Sequence, residues 1–198
     1  PDLKAPYDLT VTAPSGWVVA GNSPARETDS GRWEFETTKP LSTYFVTVCA
    51  GPYVQQRDTW RGPDGQVVPL VLHARASLAE ELAAQAPQMF EVTRQCMSYF
   101  HELFGIDYPF GEYHQIFVPE YNAGAMENPG LVTFSQRLIL NAPETETIAR
   151  KRAYAGSAFV VYGKRSTGRV ELQRLGNRGF RIDGPHREAV TGLALAGP

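Results

Sequence analysis

A stretch of nine residues, 122–130, constrains the fold of this chain more than any other segment. It reads Asn-Ala-Gly-Ala-Met-Glu-Asn-Pro-Gly, so small residues surround a single carboxylate, Glu127, and a turn-forming Pro129-Gly130 pair follows. Short strand-like runs flank it at residues 115–118 and 131–134. Because glycine and alanine let a backbone approach a ligand closely, the pattern predicts a tight segment between strands, on which a backbone edge and the Glu127 carboxylate face one ligand.

The alternative interpretation of this stretch is a surface loop with a solvated glutamate. The match is longer than a loop explains, because five consecutive residues resemble the exopeptidase signature of the aminopeptidase N family of zinc metallopeptidases. Those residues are Gly124, Ala125, Met126, Glu127 and Asn128. Residues 104–110 and 129–134 resemble the flanks of that signature, and residues 1–5 resemble a run near the end of the family's N-terminal β domain. The resemblance covers about residues 1–153.

The resemblance implies an enzyme that removes single N-terminal residues from peptides. In that family a zinc ion activates water, the glutamate of a His-Glu-x-x-His motif is the general base, and a later tyrosine stabilises the oxyanion. It implies that Glu127 binds the α-ammonium of the substrate. It also implies that the backbone around Gly124 and Ala125 aligns the peptide like an added strand. Met126 and Asn128 belong to the signature, but the resemblance assigns no individual role to either residue.

The zinc-binding motif itself is absent from the 198 residues. His101-Glu102 begins like His-Glu-x-x-His, but the fifth residue is Gly105, so the second imidazole on that helix face is missing. After Ala153, where the family motif is due, the chain continues Tyr-Ala-Gly-Ser instead, and the one later histidine, His186, lies in a turn-like segment. We therefore expect no zinc bound to this chain and no aminopeptidase activity from it alone. The alternative function is a non-catalytic module that binds free peptide N-termini.

The first third of the chain is β-like. Apolar and polar residues alternate in short runs separated by turn residues, which predicts antiparallel strands with one buried face. The runs are residues 7–12, 17–20, 32–37, 44–49 and 67–73. Pro69 predicts a sheet edge or a bulge at its position, because proline cannot donate to a strand ladder. His73 and His114 are each interpreted as isolated residues with structural or exposed positions.

A helical region follows from Ser77. Ser77-Leu78-Ala79-Glu80 has the form of a capping box, and Pro87 predicts either a kink or the start of a second helix. Apolar residues then recur at helical spacing, which we interpret as core packing without a ligand role. They are Met89, Val92, Cys96, Tyr99 and Leu103. Gly105 predicts the end of the helix.

Together with the resemblance, these patterns predict an α+β fold. An antiparallel β-sandwich-like part, residues 1–76, precedes the beginning of a thermolysin-like α/β catalytic domain, residues 77–153, whose residues 143–152 are expected to be helical. A β-sandwich interaction domain with an incidental motif is a further alternative, and it would require residues 1–76 to fold alone. Residues 154–198 carry a net charge of +4 and show no sustained period. We interpret them as the product of a shifted reading frame or a disrupted gene.

Charge and composition limit the classes of partner that can be expected. The net charge of −2 gives no reason to expect nucleic acid, and no apolar run has transmembrane length, so we expect no membrane partner. The expected partner is a peptide with a free N-terminus. The two cysteines, Cys49 and Cys96, are too few for a disulfide framework and favour a reducing compartment, which predicts a cytoplasmic location.

Overall fold

The structure is a computed structural model that describes residues 2–139, together with the backbone of residues 157–161 and 179–183. The chain divides into two compact units, Pro1–Asn141 and Ala142–Pro198. The α+β fold class predicted from the sequence is confirmed, since sheets and one long helix make up the first unit.

Two small antiparallel sheets begin the first unit. Their strands are β1 (Thr10–Thr12), β2 (Val18–Gly21), β3 (Ala25–Asp29), β4 (Arg32–Phe35) and β5 (Val48–Gly51). One sheet has the order β1-β4-β3, and the other pairs β2 with β5. The predicted strand over residues 44–49 is wrong up to residue 47, because Thr43–Phe45 forms a 3₁₀ turn, in which the rings of Tyr44 and Phe45 lie 4.0 Å apart, and β5 begins only at Val48. Strand β3 was not predicted, because four of its five residues are polar and exposed and show no alternation.

A mixed five-stranded sheet dominates the first unit. Its strands are β6 (Tyr53–Arg61), β7 (Val67–Arg75), β8 (Tyr113–Val118), β9 (Ala125–Met126) and β10 (Leu131–Ser135). Their order is β6-β7-β8-β10-β9, with β7, β8 and β10 parallel to one another and with β6 and β9 antiparallel at the two edges. The strands predicted at residues 67–73, 115–118 and 131–134 are confirmed.

Strand β7 lies between β6 and β8 and contains Pro69, which the sheet accommodates. Pro69 pairs with Thr59 of β6, and the pairing with β8 begins only at Leu70, so Pro69 lies where β7 has a single neighbour. Strands β7 and β8 lie on either side of the boundary predicted at Ser77 and pair directly with each other. That division into domains stays a prediction.

One helix, α1 (Ala79–Phe104), packs against β6 and β7. The capping-box prediction is wrong, because Ala76–Leu78 forms a 3₁₀ turn that contains Ser77, and no side chain caps α1. Pro87 lies inside a continuous helix, which excludes a second helix there. Gly105 ends α1 as predicted, and its N–H donates to the His101 carbonyl at 2.8 Å.

The buried face of α1 differs from the predicted stripe. It consists of Leu82, Ala86, Met89, Phe90 and Thr93. Tyr99 and Leu103, the last two members of the predicted stripe, are 46% and 41% exposed. A stripe with a mean spacing of 3.5 residues turns about 20° per heptad around a helix of 3.6 residues per turn, so its later members rotate away from the sheet. Ser98 contacts the sheet instead and accepts a hydrogen bond from the indole of Trp60 at 2.9 Å.

The face of the sheet away from α1 has its own core. Ile116 and Leu131 pack there against Ala20 of β2. His73 is fully buried on this face, and its Nε2 lies 2.9 Å from Nδ1 of His114 in a stacked pair. The interpretation of two isolated histidines is therefore wrong, because parallel pairing of β7 with β8 brings their side chains together.

The second unit is described by its backbone alone. Strands β11 (Ser157–Val161) and β12 (Gly179–Asp183) pair antiparallel. The sequence shows no sustained period from which either strand could be predicted. The helix predicted at residues 143–152 lies outside the described residues. In the described part of the chain, no helix combines the length and the apolar character that crossing a membrane requires.

Candidate functional site

The predicted site residues form one edge of the five-stranded sheet. Strand β9 is Ala125–Met126, and it pairs with Phe134 and Thr133 of β10. A hydrogen bond from the Ser135 N–H to the Gly124 carbonyl, 2.9 Å long, extends this ladder by one residue. Because β9 is the outermost strand, its outward backbone groups face no further strand among residues 2–139. Such an edge can accept an extended peptide through main-chain hydrogen bonds.

Glu127 follows directly after β9. Its side chain is half-buried, and among residues 2–139 no cationic side chain forms an ion pair with it. The negative charge of Glu127 acts on the nearby Tyr121. Burial raises the pKa of the Tyr121 phenol, and the charge of Glu127 raises this pKa further. A partly desolvated carboxylate without a counter-charge attracts a cation more strongly than a fully solvated one does.

Asn128 has a structural role that the sequence did not assign. Its side chain is buried, its Nδ2 donates to the Phe45 carbonyl at 3.2 Å, and its Oδ1 accepts from the Thr133 hydroxyl at 3.2 Å. The turn predicted at Pro129-Gly130 is confirmed, since the Leu131 N–H donates back to the Asn128 carbonyl at 3.2 Å. Asn128 therefore holds the turn that follows Glu127 against both β10 and the 3₁₀ turn at Thr43–Phe45.

Sequence reasoning missed Asn22, which lies just after β2. Its side-chain Nδ2 donates to the carbonyls of Phe45 and Pro129 at 2.9 and 2.8 Å. Its Oδ1 accepts from the Thr47 N–H at 2.8 Å. The sequence marks Asn22 only as part of a turn, and a contact across 107 residues leaves no local signal.

The comparisons with known proteins cover the segment that carries this site. Residues 88–158 match the Peptidase family M1 domain. The chain is 46% identical to the aminopeptidase N of Streptomyces lividans over 153 residues, which are 77% of this chain and 18% of that protein. It is 31% identical over 153 residues to an aminopeptidase N of Acetobacter pasteurianus, covering 74% of this chain and 41% of that protein. The chain is therefore similar to aminopeptidase N of the M1 peptidases over about three quarters of its length.

The match to the M1 family is partial in length. A human relative, glutamyl aminopeptidase, is 27% identical over 160 residues, which are 78% of this chain and 16% of that protein. The chain thus spans less than half the length of each of these three relatives. The M1 domain match contains the whole signature from Gly124 to Asn128 and ends at residue 158. The reading-frame interpretation of residues 154–198 stays a prediction.

M1 aminopeptidases are generally zinc enzymes, but the described residues do not fit a catalytic zinc. Among them, one group of three could offer metal ligands: Asp64, His101 and Asp107. His101 Nε2 lies 3.1 Å from the Asp64 carboxylate, whereas Nδ1 lies 3.5 Å from that of Asp107. The two carboxylates thus lie on opposite sides of the imidazole ring, each nearest a different ring nitrogen. The group also lies beside the β6–β7 turn, and the three strand spacings between β7 and β9 separate it from Glu127 by about 14 Å.

Proposed function

We propose that this chain carries the substrate-recognition part of an aminopeptidase, in which Glu127 binds the α-ammonium of a peptide. The observation that carries the proposal is a half-buried carboxylate, unpaired within residues 2–139, placed directly after an edge strand. The similarity of the chain to aminopeptidases over about three quarters of its length supports it. The outward-facing backbone groups around Gly124 and Ala125 pair with the peptide main chain as a further strand beside β9.

This arrangement selects a chain terminus by charge. A free N-terminus is an ammonium group with N–H donors, whereas an internal or acetylated nitrogen is a neutral amide. A hydrogen bond between charged partners contributes about 1.5–3 kcal/mol, which corresponds to about 10- to 150-fold in affinity. The paired backbone fixes the first peptide bond relative to the amine, so the two contacts together define both the end and the direction of the substrate.

Removing the charge of Glu127 is expected to abolish this preference. The wild-type chain should bind a short free-amine peptide about 10-fold or more tightly than its acetylated twin, and Glu127→Gln should bind both equally. Isothermal titration calorimetry with the two peptides measures the ratio. Glu120→Gln is the matched control, because Glu120 is an exposed carboxylate on the connection between β8 and β9 and its loss changes net charge equally. A preference that survives in Glu127→Gln, or that disappears in Glu120→Gln, would contradict the assignment.

We also propose that the 198 residues by themselves bind without hydrolysing. The support is the sequence, which contains no His-Glu-x-x-His motif to supply zinc ligands and a general base. The purified chain is expected to show no turnover of an aminoacyl-arylamide and no stoichiometric zinc after dialysis, measured by absorbance and by elemental analysis. Turnover that a chelator abolishes would refute this expectation.

Peptide-binding measurements distinguish an aminopeptidase fragment from a module that binds peptide N-termini by itself. Amine-dependent binding that is lost in Glu127→Ala supports a module that captures peptide N-termini by itself. Absence of binding in the wild-type chain would contradict the proposal and leave a remnant without a recognition function of its own. Zinc that is retained by the wild type and lost in His101→Ala would instead place a metal at the Asp64–His101–Asp107 group, away from Glu127.

A further inference from the structure

The buried amide of Asn22 has a set of bonds that the proposed function does not use. The side chain is 3% exposed, and three backbone groups surround it. Both Nδ2 hydrogens are donated, one to the Phe45 carbonyl and one to the Pro129 carbonyl, while Oδ1 accepts from Thr47. An amide this fully bonded has a fixed orientation, because rotating it would leave buried donors and acceptors unpaired.

These bonds converge on the turn that carries Glu127. Pro129 lies two residues after Glu127, and the Phe45 carbonyl that accepts from Asn22 also accepts from Asn128. The backbone of Asn22 also lies close to this turn, since a Cβ added to Gly130 would stand 2.4 Å from the Asn22 carbonyl oxygen. Asn22, Asn128 and the Phe45 carbonyl thus form one connected clamp.

The clamp and the sheet hold Glu127 from its two sides. On the N-terminal side, Met126 is fixed by its pairing with Thr133. On the C-terminal side, Asn128 and Pro129 are fixed by the clamp. We propose that Asn22 is a positioning residue for amine recognition: it sets the backbone of Asn128–Pro129 so that the Glu127 carboxylate lies where a peptide bound along β9 presents its α-ammonium. The proposal rests on the proposed role of Glu127.

The physical reason is the steep dependence of a charge-assisted hydrogen bond on geometry. Such a bond weakens sharply when its angle or distance departs from the optimum, and a displacement of about 1 Å from a remote change can cost about 100-fold. Pairing of a peptide with the β9 backbone does not depend on the Glu127 carboxylate. Loss of Asn22 should therefore weaken binding of the free-amine peptide and leave binding of the acetylated peptide unchanged.

The test compares Asn22→Ala with Gln66→Ala. Gln66 is a matched control, because its side-chain amide also bridges backbone groups, donating to the Tyr108 carbonyl at 2.7 Å and accepting from the Tyr108 N–H at 3.0 Å. It lies between β6 and β7, and two strands, β8 and β10, separate β7 from β9 in the sheet. Calorimetry with the free-amine and acetylated peptides gives the ratio of affinities for each variant, at a temperature where circular dichroism shows it folded. Hydrogen exchange of the Leu131 N–H, which bonds the Asn128 carbonyl, reports the turn without any ligand.

We expect Asn22→Ala to lose the roughly 10-fold preference and to exchange the Leu131 N–H faster, while Gln66→Ala keeps both wild-type values. Asn22→Ser, which retains one donor, should lie between Asn22→Ala and the wild type and serves where the alanine variant does not fold. A folded Asn22 variant with an unchanged preference overturns the inference alone. A wild-type chain without a preference overturns the proposed function together with the inference. If neither Asn22→Ala nor Asn22→Ser folds, Asn22 acts through the stability of the fold, and the positioning role is refuted.

Discussion

Gly130→Ala is expected to lower the free energy of unfolding by about 3–5 kcal/mol, which is large for the addition of one methyl group. Gly130 has a φ of +77°, a conformation that costs an L-residue about 1–2 kcal/mol. The added Cβ would also stand 2.4 Å from the Asn22 carbonyl oxygen and 2.9 Å from its carbon. Both are backbone atoms, so no side-chain rotation relieves the overlap, and the turn has to move away from Asn22.

Gly65→Ala separates the two contributions to this loss. Gly65 has a similar φ of +85°, but no atom lies within 4 Å of a Cβ built there. We expect this control to lose about 1 kcal/mol, from backbone conformation alone. Urea unfolding monitored by tryptophan fluorescence measures both variants. Equal losses in the two would contradict the steric explanation and with it the close approach of Asn22 to the turn.

The local parts of this fold are readable from the sequence, because their signal lies within a few residues. Strands β7, β8 and β10 are apolar runs, and Gly105 ends α1 at a position that a glycine favours. Glu127 was proposed as a substrate-binding residue by resemblance, because a short exact motif can be recognised without structural context. Strand β6 was missed, because its residues Gln55 to Thr59 are polar and resemble a loop.

The parts that the sequence does not reveal depend on contacts between distant residues. Strand β9 has two residues and exists only through its pairing with β10. Ser77 has the residue pattern of a cap, but the chain enters α1 through a 3₁₀ turn in which Ser77 lies one residue before the N-cap position, Leu78. Asn22 contacts Pro129 across 107 residues, and His73 contacts His114 across 41. In each case tertiary packing, rather than local propensity, decides the conformation.

Acidification is expected to destabilise the first unit through His73. Burial, and next the charges of His114 and Arg57, lower the pKa of His73 from 6.5 to about 3. The hydrogen bonds agree with a neutral ring. Gln55 Oε1 accepts from Arg57 at 2.8 Å, which turns the Gln55 amide nitrogen toward His73 Nδ1, 3.3 Å away. A proton on Nδ1 would then face another donor, while Nε2 already donates to His114.

The sign and size of the effect follow from linkage. The unfolded chain takes up a proton on His73 near pH 6.5, whereas the folded chain does so only near pH 3. Stability from this residue is therefore complete above pH 6.5 and falls by up to about 1.4 kcal/mol per pH unit as the pH drops toward 3. Between pH 7 and pH 5 the expected loss is about 2 kcal/mol, and between pH 8 and pH 7 it is close to zero. Glu112, whose pKa His114 lowers, adds a loss in the same direction as the pH falls through the range in which carboxyl groups titrate.

Urea unfolding at pH 8, 7 and 5 measures this dependence, and His73→Gln identifies its source. The glutamine variant keeps a polar side chain in the same position but cannot titrate, so its unfolding free energy should change much less than that of the wild type between pH 7 and pH 5. Its stability at pH 7 is expected to be lower, because glutamine cannot reproduce the bond to His114 in the stacked pair. The comparison therefore rests on the change with pH within each protein. If His73→Gln lost as much stability on acidification as the wild type, the buried histidine would not be the group responsible.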